Sequence, residues 1–375
     1  LDMGAEQFAW QERRARSGQL NGSKIRATAV GQAFHSAGAS GFDGLVRITP
    51  DGILHIHSGV GNLGTYSYAS TSRVAADALK YDWDNCQIVR GDSSLGLPWN
   101  LGQFGSNTSF TMTRTNYAAA MDALRKLKEI AAIEFGGSAE DYDVSGENVF
   151  NKSNPSRRMS YARAAQKAIE LGGAYSGHNV PDDINAMTAR AVAGLVDTGL
   201  IGVARDNMGQ SGMVPALAVG FIEIELDVET GKVEIIDYLG VADCGTVTHP
   251  QGLATQIKGG AVMGFGMALT ERHLYDDVWG LPGSVGLYQA KPPSYLDVPS
   301  EMGWAAVNIA DPENPVGSKG IGEPVMGCSA AALLCAISEA LEGHYFNRTP
   351  VVTDMIVNAY SGQPQSHTPL QVNTQ

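Results

Sequence analysis

One pattern occurs twice in this chain and constrains its fold more than any other feature: an alternating strand, a tight turn, a second alternating strand, a glycine-bearing loop and a helix. The first copy begins with GLVRITPDGILHIHSG, residues 44–59. Leu45, Arg47 and Thr49 alternate with Val46 and Ile48, Pro50-Asp51-Gly52 supplies the turn, and Ile53, His55 and His57 alternate with Leu54 and Ile56. The loop GVGNLG (59–64) and a helix over about 65–80 follow. The second copy is VGFIEIELDVETGKVEIIDYLGVADCG (219–245), followed by a glycine-rich helical stretch over about 250–270. Each glycine inside a helix costs roughly 0.8–1 kcal/mol against alanine, so such a helix makes sense where another backbone or a ligand packs closely. The expected fold class is α+β, with two α/β lobes, 41–140 and 211–365, each opening with a strand hairpin. An N-terminal extension (1–40), a connecting helical segment (141–210) and a tail (366–375) complete the expected organisation.

Further elements follow from spacing. CQIVRGD (86–92) reads as a strand, and Leu124, Leu127, Ala131 and Phe135 predict a helix over about 114–135. Residues 137–157 read as loop-rich. Ser160 is the expected N-cap of a helix, YARAAQKAIEL, that stops at Gly172-Gly173. Another helix is expected over about 182–198, and the last over about 324–342, opening with Pro324.

Charge and cysteine content narrow the function classes. Lysine and arginine number 26 against 39 aspartates and glutamates, a net charge of −13. An acidic surface argues against nucleic acid or an anionic membrane as the main partner. No run reaches the roughly 18 apolar residues of a membrane span, and the first residues lack the apolar core of a signal peptide. Cys86, Cys244, Cys328 and Cys335 show no CxxC spacing, which excludes a cysteine-only zinc or iron–sulfur site within these residues. They read as small buried hydrophobes in a reducing compartment. A cytoplasmic location is expected, with export alongside a partner left open.

Three glycine clusters carry the chemical signals. Gly59-Val60-Gly61-Asn62-Leu63-Gly64 fits GxGxxG between a strand and a helix, and Asp92 ends the next strand, as in a dinucleotide site. Against that reading, the preceding strand is the second arm of a hairpin, whereas a dinucleotide unit opens with a parallel strand. GQFGSNTSF (102–110) sets Ser106, Asn107, Thr108 and Ser109 beside two glycines before a helix. PVGSKGIGEP (315–324) puts Glu323 at the expected N-cap of the last helix, with Pro324 holding it in an extended conformation. Each cluster alone reads equally as a polar loop or a cap. Together their donors can converge on one multiply anionic ligand. His55 and His57 project to one strand face, open to metal ligation or to ordinary hydrogen bonding.

From about Gly44 to Tyr360 the order of segments resembles the molybdenum-binding subunit of the xanthine dehydrogenase and aldehyde oxidase family. The matching pieces include PDGILHIHSGVGNLGTYSYASTSRVAADAL, GDSSLGLP, GSNTSF, FIEIELDVETGKVEI, DCGTVTHPQGLATQIKGGAVMGFGMALTE, SYLDVP and GSKGIGEP with AALLCAISEAL. The resemblance implies the second molybdopterin-binding domain of a molybdenum hydroxylase. It implies Glu323 as general base beside molybdenum, in an oxidation that adds water-derived oxygen to an aldehyde or N-heterocycle carbon. It implies cofactor contacts from Gly64, Thr65, Gly105, Ser106, Asn107, Thr108, Gln256, Lys319 and Gly320, with the Gly105 backbone passing close to the metal and no side-chain ligand. The cofactor is molybdenum-molybdopterin, in mononucleotide or dinucleotide form. One departure is local: the family's first cofactor loop usually reads GQG, and Gly64-Thr65-Tyr66 stands here. Another is larger: nothing in 1–40 resembles the family's earlier half, which carries most of the substrate pocket. The resemblance therefore implies a C-terminal half-subunit whose site is completed by a second molybdopterin-binding half-subunit. An iron–sulfur subunit with 2Fe-2S centres and a flavin subunit with FAD would receive the electrons, and the substrate is a small molecule. Two alternatives stay open at this point: a cofactor-free scaffold of such a complex, and a nicotinamide-dependent dehydrogenase built on GVGNLG.

Overall fold

The computed structural model describes residues 1–92, 94 and 96–367, so Ser93 and Leu95 of the GDSSLGLP stretch and 368–375 of the expected tail lie outside the described residues. The chain forms two compact units. One comprises Leu1–His35, Pro215–Asn308 and Ile321–Gln375, the other Ser36–Val214 and Ile309–Gly320.

The first unit begins with the helices α1 (Asp2–Gln7) and α2 (Trp10–Ala15) and the strands β1 (Gln19–Asn21) and β2 (Lys24–Ser36). The chain then builds the second unit. Its hairpin, β3 (Asp43–Ile48) and β4 (Leu54–His57), pairs Leu45 with His57 and Ile48 with Leu54, as the alternation predicts. After the helix α3 (Ser67–Ala78), β5 (Cys86–Val89) joins β4 in parallel. The 28-residue helix α4 runs over Thr108–Phe135. A small antiparallel sheet follows, β6 (Tyr142–Ser145), β7 (Asn148–Asn151) and β8 (Arg158–Ser160). The unit continues with α5 (Tyr161–Leu171), α6 (Ala186–Ala193) and β9 (Leu200–Arg205), the last antiparallel to β3. Val46, Ile48, Leu54 and Ile56 face a core with α3, α4 and α5, while Leu45, Ile201 and Val203 face Ala191 and Val192 of α6.

The chain returns to the first unit with β10 (Pro215–Asp227) and β11 (Val233–Asp243), then α7 (Pro250–Leu269), α8 (Leu287–Ala290), β12 (Gly303–Ala306), α9 (Glu323–Ala340) and α10 (Thr353–Ser361). The sheet order is β1-β2-β10-β11-β12. Ile222, Ile224, Tyr238 and Ala242 meet Ile257, Ala261 and Phe265 of α7 and Cys328, Ala332 and Ala336 of α9. Phe221, Leu239 and Val241 on the opposite face are covered by Phe8 and Trp10. Arg13 fixes this cover through Glu223 (2.8 Å) and Asp237 (2.6 Å).

The structure thus groups residues differently from the expected five segments. Residues 1–35 form no separate extension: β2 lies inside the first unit's sheet. Its sequence hides this because Ala27, Ala29 and Gly31 face the core in place of branched aliphatics. Gly31 lies so close to α9 that a Cβ there would overlap the backbone of Cys328 and Ala332. Segment 141–210 is not a helical connector. It contributes four strands to the second unit, its YARAAQKAIEL helix forms as α5, and the helix expected over about 182–198 shrinks to α6. Ser160 caps α5 as expected, its hydroxyl accepting from the Arg163 N–H at 3.2 Å. Helix α9 is long and apolar enough to cross a membrane by length and composition, but half of it is buried inside its own unit.

Alanine at Gly31 should therefore destabilise the first unit by about 1–3 kcal/mol or more through overpacking against fixed backbone. At Gly259 of α7 nothing lies within 4 Å of a Cβ, so alanine there should be neutral or stabilise by up to about 1 kcal/mol. Urea unfolding of the two variants checks the opposite signs.

Candidate functional site

Two glycine loops of the second unit are tied by one side chain. Gln103 accepts from the Leu63 N–H at 2.9 Å and donates to the hydroxyls of Thr65 (3.2 Å) and Ser67 (2.5 Å). No spacing rule marks Gln103 as a partner of residue 65, because the link crosses two loops. Asn62 Oδ1 accepts from the Gly64 and Tyr66 N–H groups at 3.0 and 3.2 Å. The GVGNLG loop therefore spends much of its donor set on its own side chains. β4 is the second arm of a hairpin with β3 but pairs in parallel with β5 across α3, so it is the loop's spent donors, not the strand direction, that separate the arrangement from a dinucleotide site.

The 102–108 segment is arranged otherwise. Gly105 (φ +58°) and Ser106 (φ +52°) are successive left-handed residues that turn the chain into α4, whose first residue is Thr108. Asn107, the residue before the helix, makes no side-chain cap. Its Nδ2 instead donates to the carbonyls of Gly102 (3.0 Å) and Phe104. Its Oδ1 is buried without a hydrogen-bond partner. An orphaned acceptor thus sits beside a helix start whose N–H groups no side chain caps.

The third cluster lies against the second. A Cβ on Gly320 would overlap the carbonyl oxygen of Ser106, and the Gly320 N–H donates to Ala37 at 3.1 Å. Lys319 is buried beside it, at 7 % exposure. Asn314 anchors this segment to α4, donating to the Phe110 carbonyl (3.1 Å) and the Thr113 hydroxyl (2.7 Å). Below it, the fully buried Arg114 forms a fork with Asp206 at 2.7 and 3.1 Å and donates to the carbonyls of Met208, Gly209 and Glu313. All five guanidinium N–H donors are thereby used.

Gln256 and Glu323 belong to the first unit, while Gly64, Thr65, Gly105, Ser106, Asn107, Thr108, Lys319 and Gly320 belong to the second. Helices α7 and α9 pack in parallel. A Cβ on Gly260 would meet Val325 at 3.1 Å and the Gly322 carbonyl at 3.2 Å, and one on Gly264 would overlap Ser329 and Met326. Gln256 is one turn before Gly260, so it lies toward the start of α9, where Glu323 stands. Glu323 is the first residue of α9, with Gly322 at the N-cap and Pro324 in the first turn. Glu323 is therefore helical and not the extended N-cap expected of it; the N-cap position belongs to Gly322. Proline fits the first turn because the N–H it lacks has no partner there.

Among the described residues no group of three His, Cys, Asp or Glu side chains could hold a metal ion. His57 is buried with neither ring nitrogen hydrogen-bonded, and burial, with Arg47 and His55 nearby, holds its pKa down to about 3.

Residues 3–299 match the family described as the molybdopterin cofactor-binding domain, and the chain belongs to that family. It is 25 % identical over 347 residues to the gamma subunit of the 6-hydroxypseudooxynicotine dehydrogenase complex of Paenarthrobacter nicotinovorans, covering 92 % of this chain and 41 % of the relative. It is 24 % identical over 359 residues to the aldehyde oxidoreductase molybdenum-binding subunit PaoC of Escherichia coli K12, covering 94 % and 42 %. Among solved structures, quinoline 2-oxidoreductase from Pseudomonas putida 86 has the same fold, with a TM-score of 0.76 at 21 % identity over 97 % of this chain and 45 % of that one. The chain spans less than half the length of the relatives it matches.

Two outcomes follow. Gly320→Ala should push the 309–320 segment off Ser106 and speed amide hydrogen exchange across 102–108, whereas Gly61→Ala, with open space at its Cβ, should leave exchange there unchanged. His57 stays neutral in the folded state well below its unfolded pKa of about 6.5, so only the unfolded chain gains a proton as the pH falls from 6.5 toward 3. Stability is lost over that window by up to about 1.4 kcal/mol per pH unit. Urea unfolding from pH 7 to 4 should show a slope shallower by one proton in His57→Leu.

Proposed function

We propose that this chain holds one side of a molybdopterin cofactor in a multi-subunit molybdenum hydroxylase or dehydrogenase. The complex would oxidise an aldehyde or N-heterocycle carbon with water-derived oxygen. The observation that carries the reading is the pairing of an orphaned buried acceptor, Asn107 Oδ1, with the uncapped start of α4. A pterin offers N–H groups to the first, and its phosphate suits the second. The residues present therefore fit the group. When bound, the molybdenum cofactor supplies the redox centre of the oxidation.

The chain's own residues have separable tasks. Gly105 lets bare backbone approach the ligand, Gly320 lets its own segment lie against the Ser106 carbonyl at that loop, and the hydroxyls of Ser106 and Thr108 border the ligand. Lys319 places a cation in the same segment, while Gly64 and Thr65 form the rim that Gln103 braces. The Gln256 amide orients, and the Glu323 carboxylate is the general base that accepts the proton. Electrons leave to partner subunits carrying iron–sulfur and flavin centres. A second molybdopterin-binding half completes the substrate pocket. Cysteines that form no disulfide among the described residues suit a reducing, cytoplasmic compartment.

Glu323→Gln tests the assignment in the assembled complex. The amide is nearly isosteric with the carboxylate and removes only proton acceptance. Turnover should fall by at least about 100-fold, the low end of what general acid–base catalysis contributes, with molybdenum and pterin content near wild type. Turnover within a few-fold of wild type would return Glu323 to a purely structural place in the first turn of α9.

A further inference from the structure

The first unit carries a segment whose apolar side chains face outward. Between residues 274 and 296, Val278, Trp279, Val285, Leu287, Tyr288, Tyr295 and Leu296 are 76–98 % exposed, with Tyr275 and Leu281 above 60 %. An aromatic side chain can bury 150–250 Å², so the four aromatics alone expose on the order of 600 Å², at the upper limit of the largest patch on a typical monomer.

The segment has a defined shape that does not depend on burying those side chains. Asp276 accepts from the N–H groups of Val278 (3.3 Å) and Trp279 (3.1 Å), and its own backbone bonds to Leu281 and Gly280. Ser284 joins Leu274 to Arg272, and Asp297 closes a turn on Ser294 at 2.7 Å. Pro293 and Val298 return the chain to its unit, Pro293 lying where a Cβ on Gly266 of α7 would stand and Val298 packing on the core. Polar turns hold the backbone, and the hydrophobic side chains are left for another surface.

We infer that residues 274–296 are the docking arm for the half of the molybdenum-binding subunit that these residues do not contain. Two observations choose that occupant. The matched relatives are more than twice the length of the aligned stretch, which covers 41 and 42 % of them, so in those relatives more than half of the subunit lies outside it. A second copy of this chain is disfavoured by charge: residues 274–297 carry Asp276, Asp277 and Asp297 against Lys291 alone, on a chain of net charge −13. The inference rests on the proposed function for the identity of that half, but its test reads assembly rather than turnover.

Lys291 is exposed within the arm and serves as the probe. The native complex, isolated through a tag on this chain, is treated with an amine-reactive cross-linker and the peptides joined to Lys291 are sequenced. The expected partner peptide matches the part of the relatives outside the aligned stretch. Links to a second copy of this chain, to an iron–sulfur or flavin subunit, or no link at all, would overturn the inference. Trp279→Asp with Tyr288→Asp should lower the yield of that link at least tenfold while the far-UV circular dichroism is unchanged; a yield within twofold of wild type counts against docking through this arm. A complex that links as expected but holds no molybdenum would leave the arm standing and overturn the functional reading instead.

Discussion

Everything proposed for the second unit depends on one close approach, the Gly320 backbone against the carbonyl of Ser106. No side chain larger than hydrogen fits there, so the third glycine cluster can lie on the second only because residue 320 is glycine. The same device recurs inside the first unit. Gly31 admits the backbone of α9, while Gly260 and Gly264 admit its first turns against α7. These contacts exchange helix propensity for proximity. Gly260 and Gly264 each weaken the isolated α7 helix by about 1 kcal/mol, and the close packing of α9 on them offsets it.

Close approach alone would not hold the segment in place, because glycine adds backbone entropy to the unfolded chain. Arg114 supplies the restraint. It lies fully buried nearly two turns inside α4, paired with Asp206, and reaches three carbonyls from two separate segments. A buried ion pair is weak evidence for net stability, since desolvation offsets its attraction. Its value here is geometric: with every donor occupied, the guanidinium fixes where 206–209 and 313 sit relative to α4. Removing Asp206 would leave a buried charge unpaired, so the two residues are coupled.

The sequence was most legible where alternation and branched residues coincide, and least where small residues stand in for them. The hairpins β3–β4 and β10–β11 carry alternating branched residues, Val46 and Ile48, Leu54 and Ile56, Ile222, Ile224 and Leu226, Val233 and Ile235, and lie where that alternation predicts them. β2 was missed because Ala27, Ala29 and Gly31 carry the face that a strand normally marks with β-branched residues. α4 starts at Thr108, ahead of the expected 114, because Thr111, Thr113 and Thr115 read as poor helix formers. At least two of these hydroxyls bond back to helical carbonyls, Thr113 to Ser109 (2.7 Å) and Thr115 to Met112 (3.2 Å). Within the candidate site, the glycine clusters were visible as motifs. Gln103, Arg114 and Asn314 were not, since each acts on residues distant in sequence.

The loop most tempting as a motif turns out to have little left to offer a ligand. In GVGNLG and the residues after it, the N–H groups of Leu63, Gly64 and Tyr66 are taken by Gln103 and Asn62, and that of Gly59 by Asn100 at 2.6 Å. A phosphate cradle needs those groups pointing outward. The glutamine amide that Thr65 cannot provide is present nearby, on Gln103, but its donors are turned onto Thr65 and Ser67. It braces the rim and points no donor outward. In the next loop the balance reverses: Asn107 spends its donors on two carbonyls and keeps its acceptor free, and the helix behind it begins without a side-chain cap. The placement of spent and unspent hydrogen-bonding groups, rather than the glycine spacing, moves the expected binding weight from residues 59–66 to residues 105–108.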